Sequence, residues 1–175
     1  MAKLRKAVAY RRIERPYTRK SKFRKLSYVR ATPHNLIVKY VMGEPREAYD
    51  YKVLVRSSGS VQVRHNALEA ARKSANKFLE TKCGKKNFCL KIRVYPHHIL
   101  RENPLASGAG ADRMSTGMKK SFGKPIGLAA QVREGQDLFE ILVKEPHLSF
   151  GKGAAERIKH KLPVGCKIVV EPCSS

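Results

Sequence analysis

Acidic residues are scarce in this chain, and their scarcity limits the classes of function that the protein can have. Asp and Glu number 14 against 37 Lys and Arg, so the formal net charge is +23 and the isoelectric point is near 10.3. Self-repulsion on this scale destabilises an isolated compact domain, which makes a polyanionic partner the economical explanation. Nucleic acid is the interpretation we favour. The alternatives are an anionic membrane surface and a merely soluble basic surface.

Long apolar runs, an export signal and paired-cysteine motifs are missing as well. No window approaches 18 consecutive apolar residues, so we expect no transmembrane helix and no membrane partner. The N-terminus lacks the apolar segment of a secretory signal, and Pro16 interrupts the amphipathic helix that a mitochondrial transit peptide would need. No CxxC occurs among the four cysteines, so we expect no zinc or other metal site. Without an export signal we expect reduced, mostly buried thiols, and we also expect no cofactor. The four cysteines are Cys83, Cys89, Cys166 and Cys173.

What is present fits one folded domain preceded by a basic arm. The chain has 175 residues, of which 42% are hydrophobic, enough to build a core. We place the arm at residues 1–33 and the domain at residues 34–175, with a protruding loop at residues 103–125. Within the domain, β-branched and aromatic runs predict strands at 35–42, 49–57, 88–96, 126–133, 138–144 and 166–172.

Two amphipathic segments predict helices. The segment 65–84 is expected to be capped by Asn66 with Glu69, and 150–162 by Ser149. The order of strands and helices indicates an α+β fold in which two helices pack on a largely antiparallel sheet. "EGQD" at 134–137 is expected to close a hairpin between the strands that flank it. The predicted buried faces are Leu68, Ala71, Ala75, Phe78 and Leu79 on the first helix and Ala154, Ala155, Ile158 and Leu162 on the second.

The arm interleaves basic residues with aromatic ones. Glu14 is the only acid among the first 30 residues. Lys and Arg neutralise phosphates, and aromatic or guanidinium planes stack on unpaired bases. A solvated tail is the alternative, but such a tail does not need regularly placed aromatics. We predict RNA contacts at Arg5, Tyr10, Arg11, Arg12, Arg15, Tyr17, Arg19, Lys20, Lys22, Arg24 and Lys25.

The sequence "ADRMSTGMKKSFGKPIG" (111–127) is too long for a simple turn and has no residues that build a core. It fails as a nucleotide-binding P-loop, because five residues separate Gly117 from Gly123 and Pro125 follows Lys124. As an RNA-insertion loop it makes sense, since glycines allow a close backbone approach to phosphates. Arg113, Lys119, Lys120 and Lys124 would neutralise phosphates, and Met114, Met118 and Phe122 would pack on bases or sugars.

No group of residues predicts catalysis. His97 and His98 are adjacent, so on a strand they point to opposite sides and cannot share one site. None of the loop serines lies in a motif that would activate a nucleophile. We therefore expect no enzyme. A free-standing RNA chaperone or RNA-modifying enzyme is the rival hypothesis.

Several segments resemble one protein family, in the order in which that family carries them. They are "RPYTRKS" (15–21), "EAARKSANKFL" (69–79), "KIRVYPHHILREN" (91–103), the loop at 111–127 and "AAERIKHKLPVGCKIVVE" (154–171). Together they are similar to the L-sixteen family of universal large-subunit ribosomal proteins, in its archaeal and eukaryotic L-ten-e branch. The end at Ser175, without the long eukaryotic tail, favours an archaeal member.

The resemblance implies an α+β fold and a structural role in the large ribosomal subunit, in the cytoplasm. It implies binding to large-subunit rRNA near the aminoacyl-tRNA site, contact with neighbouring ribosomal proteins, and a late place in subunit assembly. The loop would reach towards the peptidyl transferase centre and the acceptor end of tRNA. No homo-oligomer is expected. The loop residues that match the family pattern are Arg113, Met114, Gly117, Phe122, Gly123, Lys124 and Pro125.

Overall fold

The fold is that of a computed structural model, which describes residues 4–15, 22–27, 29, 31–105, 108 and 117–173. The side chains of Arg24 and Lys120 lie outside this description. None of the helices in the described residues is long and apolar enough to cross a membrane.

The described residues contain two α-helices and eight strands. The helices are α1 (His65–Cys83) and α2 (Leu148–Lys159). The strands are β1 (Val41–Gly43), β2 (Tyr51–Ser57), β3 (Val61–Arg64), β4 (Phe88–Ile92), β5 (His98–Glu102), β6 (Lys124–Val132), β7 (Asp137–Val143) and β8 (Cys166–Pro172).

The strands form two antiparallel sheets. One sheet has five strands in the order β1-β4-β7-β2-β8, and the other has three in the order β3-β6-β5. Every pairing between neighbours is antiparallel. The α+β class with two helices is thus confirmed, although the expected single sheet is divided into two.

The predicted hairpin at 134–137 is wrong. Strand β6 already has β3 and β5 on its two edges, and β7 has β4 and β2, so the two strands cannot pair with each other. Instead, the amide of Gly135 donates to the Ser57 carbonyl and the amide of Ser57 donates to the Gln136 carbonyl, both at 2.9 Å. Gly135 has a φ of 77°, which glycine adopts without steric cost. The link therefore leads the chain from one sheet to the other.

The first predicted strand is also mostly absent, since of the segment 35–42 only Val41 and Met42 lie in β1 and pair with β4. Before it, the side chain of Asn35 accepts a hydrogen bond from the Ile37 amide at 3.1 Å, a local turn that competes with strand geometry. Ile37 is nevertheless buried in the main core. Before β1, the segment is held by single hydrogen bonds and by burial of Ile37, and not by a continuous ladder.

Helix α1 buries the stripe that its spacing predicts, with one exception. Leu68, Ala71, Ala75 and Leu79 of α1 are fully buried, but Phe78 is only partly buried. Its ring lies beneath the guanidinium of Arg157, with Cζ 4.3 Å from the ring centroid. The exception arises because Phe78 faces the seam between the two helices, where a long side chain of α2 covers it. On α2, Ala154, Ala155 and Ile158 are buried, whereas Leu162 is partly buried and follows the helix end.

Neither helix has the side-chain cap that the sequence suggested. Helix α1 begins directly after β3, so Arg64 occupies the capping position and Asn66 already lies in the first turn. Helix α2 begins at Leu148, which places Ser149 inside the helix and His147 before it. Neither capping residue makes a side-chain hydrogen bond to the helix. Chain connectivity, and not a cap, fixes where these helices start.

Close approach of α2 to the five-stranded sheet requires a glycine. A Cβ on Gly151 would lie 3.2 Å from one methyl group of Val143 and 3.4 Å from one of Val53. Helix α2 packs on β2 and β7, and α1 packs on α2 and on β3, β4 and β6. The helices thereby cover one face of the larger sheet and join it to the smaller one.

Two phenylalanines provide a matched test of this packing. Phe88 is fully buried on β4, so Phe88→Ala should lower the free energy of unfolding by about 3–5 kcal/mol. Phe78→Ala should cost about half as much, because that ring is partly exposed at the edge of the core, beneath Arg157. Urea unfolding of both variants measures the difference. Equal losses of the free energy of unfolding in the two variants would mean that the Phe78 ring is as much a part of the core as the Phe88 ring.

Candidate nucleic-acid interface

The start of the arm is held against the three-stranded sheet by its backbone. The amide of Gln62, on β3, donates to the Arg11 carbonyl at 2.9 Å. The side-chain amide of Gln62 donates to the carbonyls of Tyr10 (3.0 Å) and Arg12 (2.9 Å). The side chain of Gln131, the cross-strand partner of Gln62 on β6, donates to the Glu14 carbonyl at 2.6 Å and to Gln62 Oε1 at 3.1 Å. We call these two residues the glutamine clamp.

The glutamine clamp leaves the basic side chains of the arm at the surface. Because only main-chain carbonyls of the arm are engaged, the side chains of Arg11, Arg12 and Arg15 remain exposed. A row of exposed guanidinium groups on a fixed backbone suits phosphate binding, since little ordering entropy remains to be lost. Nothing in the sequence pointed to the glutamines, because their meeting depends on the register of β3 and β6.

Tyr10, which the sequence assigned to base stacking, has a different place. Its ring is buried to 9% exposure in a cluster with Leu100 and Ala129. The guanidinium of Arg64 lies 5.8 Å from the ring centroid on one side. Burial raises the pKa of the Tyr10 hydroxyl, with the Glu102 carboxylate as a smaller cause. The ring anchors the arm to the sheet, so stacking of this ring on a base does not fit its position, and we omit Tyr10 from the interface.

Arg5 ties the arm to the base of the loop. Its guanidinium forms an ion pair with Glu102, the last residue of β5. Its carbonyl accepts a hydrogen bond from Arg64 Nη1 at 2.9 Å. The charge of Arg5 is thus matched within the protein, which suits a role in positioning the arm.

The second half of the arm has its own apolar anchor. Val29 is buried against Ile99 and Leu128 of the three-stranded sheet. Lys22 and Lys25 are exposed beside Phe23, whose side chain is 68% exposed. This mixture of exposed cations and an exposed ring fits RNA binding. Tyr17, Arg19 and Lys20 lie outside the described residues, as does the side chain of Arg24.

The two ends of the loop are joined by β5 and β6. Glu102 pairs with Lys124 and Arg101 with Pro125, after a bulge between Leu100 and Arg101. The Arg101 guanidinium lies 4.0 Å from the centroid of the Phe122 ring. The loop therefore leaves the domain from a fixed, paired base.

The backbone geometry of the loop explains why glycine occupies two of its positions. A Cβ on Gly123 would lie 2.8 Å from the backbone nitrogen and carbonyl carbon of Glu102, so the backbones meet too closely for a side chain. Gly117 has a φ of 63° at the start of a short 3-10 helix, Gly117–Lys120. Met118, Lys119, Phe122, Lys124 and Pro125 have exposed side chains. Arg113 and Met114 lie outside the described residues, as does the side chain of Lys120.

Fewer than half of the acidic residues of the domain are held in ion pairs within the part of the chain that the structure describes. On the face of the five-stranded sheet away from the helices, the Glu140 carboxylate accepts a hydrogen bond from the Arg93 guanidinium at 3.0 Å and lies 4.0 Å from Lys91 Nζ. Asp137 pairs with Arg56 at 2.8 Å on the same face. Six of the 14 acids are held in ion pairs among the described residues. The six are Glu47, Glu69, Glu102, Asp137, Glu140 and Glu171.

The adjacent histidines lie as the sequence predicted, one inside and one outside. His98 is buried to 3% exposure and His97 is exposed. Burial lowers the pKa of His98, and it also lowers the pKa of His65, at the start of α1. Within the described residues, no group of three or more His, Cys, Asp or Glu side chains is placed to hold a metal ion. Cys83, Cys89 and Cys166 are buried free thiols whose pKa values burial raises.

The fold and the candidate interface together define a class of protein. It is a basic α+β protein that presents cations on an arm held by the glutamine clamp and on a loop whose ends are joined by β5 and β6. Comparison with known proteins gives the family. A model of the ribosomal protein L16p/L10e family matches residues 14–169. Large ribosomal subunit protein uL16 of Methanococcus maripaludis is 48% identical over 168 residues, covering 95% of this chain and 94% of the relative.

Other archaeal relatives agree. The protein of the same name from Hyperthermus butylicus is 47% identical over 157 residues, covering 90% of this chain and 84% of the relative. That from Archaeoglobus fulgidus is 43% identical over 162 residues, with coverages of 93% and 90%. The chain therefore belongs to the ribosomal protein L16p/L10e family, as the sequence resemblance indicated. It is a ribosomal protein and not an enzyme.

Loss of the glutamine clamp should loosen the arm more than the domain. Gln131→Ala removes the hydrogen bonds to Glu14 and Gln62, so trypsin should cleave after Arg11 or Arg12 several-fold faster. The free energy of unfolding should fall by no more than about 1.5 kcal/mol. Gln136→Ala is the matched control, because that amide bonds only within its own turn. Equal cleavage rates in the two variants would show that the clamp does not hold the arm.

Acid should destabilise the protein through His65. Its pKa is lowered by burial, then by Arg64 and His34, from an ordinary value of 6.5. Below pH 6.5 the unfolded chain then binds more protons than the folded one. The contribution of His65 to the free energy of unfolding is therefore full above pH 6.5 and falls as the pH decreases towards the pKa of the folded state. His65→Gln should flatten the loss between pH 7 and about 5.5, measured by urea unfolding. An unchanged slope would exclude His65 as the titrating group, since His98 remains in both proteins.

Proposed function

We propose that the chain is a structural constituent of the large ribosomal subunit, working in the cytoplasm as part of the ribosome. The observation that carries this proposal is the family match over residues 14–169, with relatives named as large-subunit proteins aligned along most of their length. The net charge of +23 fits a partner that supplies many phosphates. In this function the protein binds large-subunit rRNA and touches neighbouring ribosomal proteins.

The arm is the first RNA-binding element. Its arginines are exposed while its backbone is fixed by the glutamine clamp and its apolar side chains by the sheet. If about eight phosphates are neutralised by arm and loop together, the log–log dependence of affinity on salt has a slope on the order of −6 to −7. The arm supplies affinity without reading sequence, because phosphate contacts carry no base information.

The loop is the second element, and it approaches the peptidyl transferase centre near the aminoacyl-tRNA site. There it helps to position the acceptor end of tRNA, while RNA performs the chemistry. Support comes from its base, where β5 and β6 pair up to Glu102 and Lys124 and the Arg101 guanidinium lies over the Phe122 ring. A loop with exposed Met118, Lys119 and Lys124 has no core of its own, so RNA supplies the surface on which it orders. Such dependence on formed RNA fits late incorporation into the subunit.

A matched pair of triple variants tests the role of the loop. Lys119→Ala, Lys120→Ala and Lys124→Ala together should impair translation in cells that carry only this variant. The melting temperature of the isolated protein should change little, because the described loop side chains lie outside the core. The control replaces three exposed lysines at the end of α1, Lys82, Lys85 and Lys86, by Ala. It removes the same charge from another surface and should leave translation much closer to wild type.

Sedimentation separates failure of the loop role from failure of the assignment. The wild-type protein should move with the large subunit in a sucrose gradient and survive a moderate salt wash. Migration near the top, free of rRNA, would overturn the ribosomal assignment and favour an RNA chaperone. Subunit association with equal translation rates in both triple variants would overturn only the role of the loop.

A further inference from the structure

Three aromatic side chains that belong to neither the arm nor the loop discussed above form a column at the surface. The rings of Tyr40 and Tyr95 stack with centroids 5.4 Å apart and planes at 22°. The ring of His97 follows, with its centroid 4.5 Å from that of Tyr95 and its plane tilted by 44°. We call these residues the aromatic column. The loop begins at the far end of β5, about 17 Å from His97 at the usual rise of a strand.

The inner end of the aromatic column is fixed. The Tyr40 hydroxyl accepts a hydrogen bond from Asn35 Nδ2 at 2.8 Å, and the Tyr40 carbonyl accepts one from the Ile92 amide at 2.9 Å. The Tyr40 ring also packs against the main core. A ring held in this way loses little freedom when a further ring is added to the stack.

The outer end of the aromatic column is open, and two cations lie within two residues of its rings in the sequence. Tyr95 is 48% exposed and His97 is exposed. Lys39, next to Tyr40 in the chain, is exposed, and the side chain of Arg93 is 57% exposed although it pairs with Glu140. Proteins bind unpaired nucleotides with stacked aromatic rings and nearby cations. The rings stack on the base, and the cations neutralise its phosphate.

We propose that the aromatic column binds an unpaired nucleotide of RNA, whose base stacks on the exposed His97 and Tyr95 rings. This inference rests on the proposed function, because it takes an RNA partner as given, and it adds a base-stacking site to the phosphate contacts of the arm and loop. A neighbouring protein is the other occupant that the test distinguishes. Lys39 favours the nucleotide, because its exposed ammonium group complements a phosphate, whereas the charge of Arg93 is already matched by Glu140.

The chain contains no tryptophan, so a single indole reports on this site alone. In the full-length Tyr95→Trp protein, single-stranded oligoadenylate should quench the indole fluorescence. An abasic oligomer with the same number of phosphates should bind without quenching it. Circular dichroism and the melting temperature check that the variant folds as the wild type does. His97→Trp, at an exposed position, serves as a second reporter if Tyr95→Trp does not fold.

Removal of the outer ring provides the quantitative arm of the test. In the Tyr95→Trp background, His97→Ala should weaken the quenching affinity about tenfold, as expected for one stacked ring. His160→Ala removes another exposed imidazole and should leave that affinity unchanged.

Each remaining outcome overturns a defined statement. Oligoadenylate that binds the protein, by gel retardation, without quenching the indole would overturn the aromatic column as a nucleotide site and leave the proposed function intact. Equal quenching by the abasic oligomer would do the same, since no base is then required. Quenching only by other large-subunit proteins would replace the nucleotide with a protein contact. Failure of the wild-type chain to bind any RNA would instead contradict the proposed function itself.

Discussion

The double pairing of β6 is the constraint on which the interface depends. With β3 on one edge and β5 on the other, this strand sets the register that brings Gln131 opposite Gln62 and so forms the glutamine clamp. At its start it pairs with the end of β5, which closes the base of the loop. At its end it cannot accept β7, so the chain must pass to the second sheet. Arm, loop and domain are therefore fixed relative to one another by one strand, and the cationic surfaces gain position without needing a core of their own.

Charge is divided between structure and binding. The larger sheet and helix α1 use carboxylates for internal ion pairs, as Glu140 does with Arg93 and Glu69 with Arg72. Hydrogen bonding from Arg72 holds the pKa of Glu69 below its ordinary value, so this pair persists well into the acid range. The arm has Glu14 alone among its first 30 residues. The arm and loop are positive because each contains a single acid, Glu14 and Asp112. RNA phosphates would relieve the repulsion that the free chain retains.

Aromatic residues show how far sequence reasoning reaches and where it stops. Interleaving with arginine made Tyr10 look like a stacking residue, but its ring fills a gap between Leu100 and Ala129 and is buried. Tyr95 and His97, which lie in an ordinary strand-like run, form an exposed aromatic column with Tyr40. The composition of a segment shows that aromatic rings and cations occur together in it. It does not tell which side of a segment faces the sheet, because that depends on partners far away in the chain.

The sequence by itself determined the basic character, the α+β class, both helices with most of their buried faces, the absence of catalytic motifs and the family. These follow from composition, local periodicity and local motifs, which need no knowledge of distant contacts. The tertiary structure alone decided that the sheet is split in two, that residues 134–137 join the sheets and that the helices start without caps. It also decided which arm residues anchor and which remain exposed. Edge occupancy, strand register and burial are properties of pairs of segments, and no single segment encodes them.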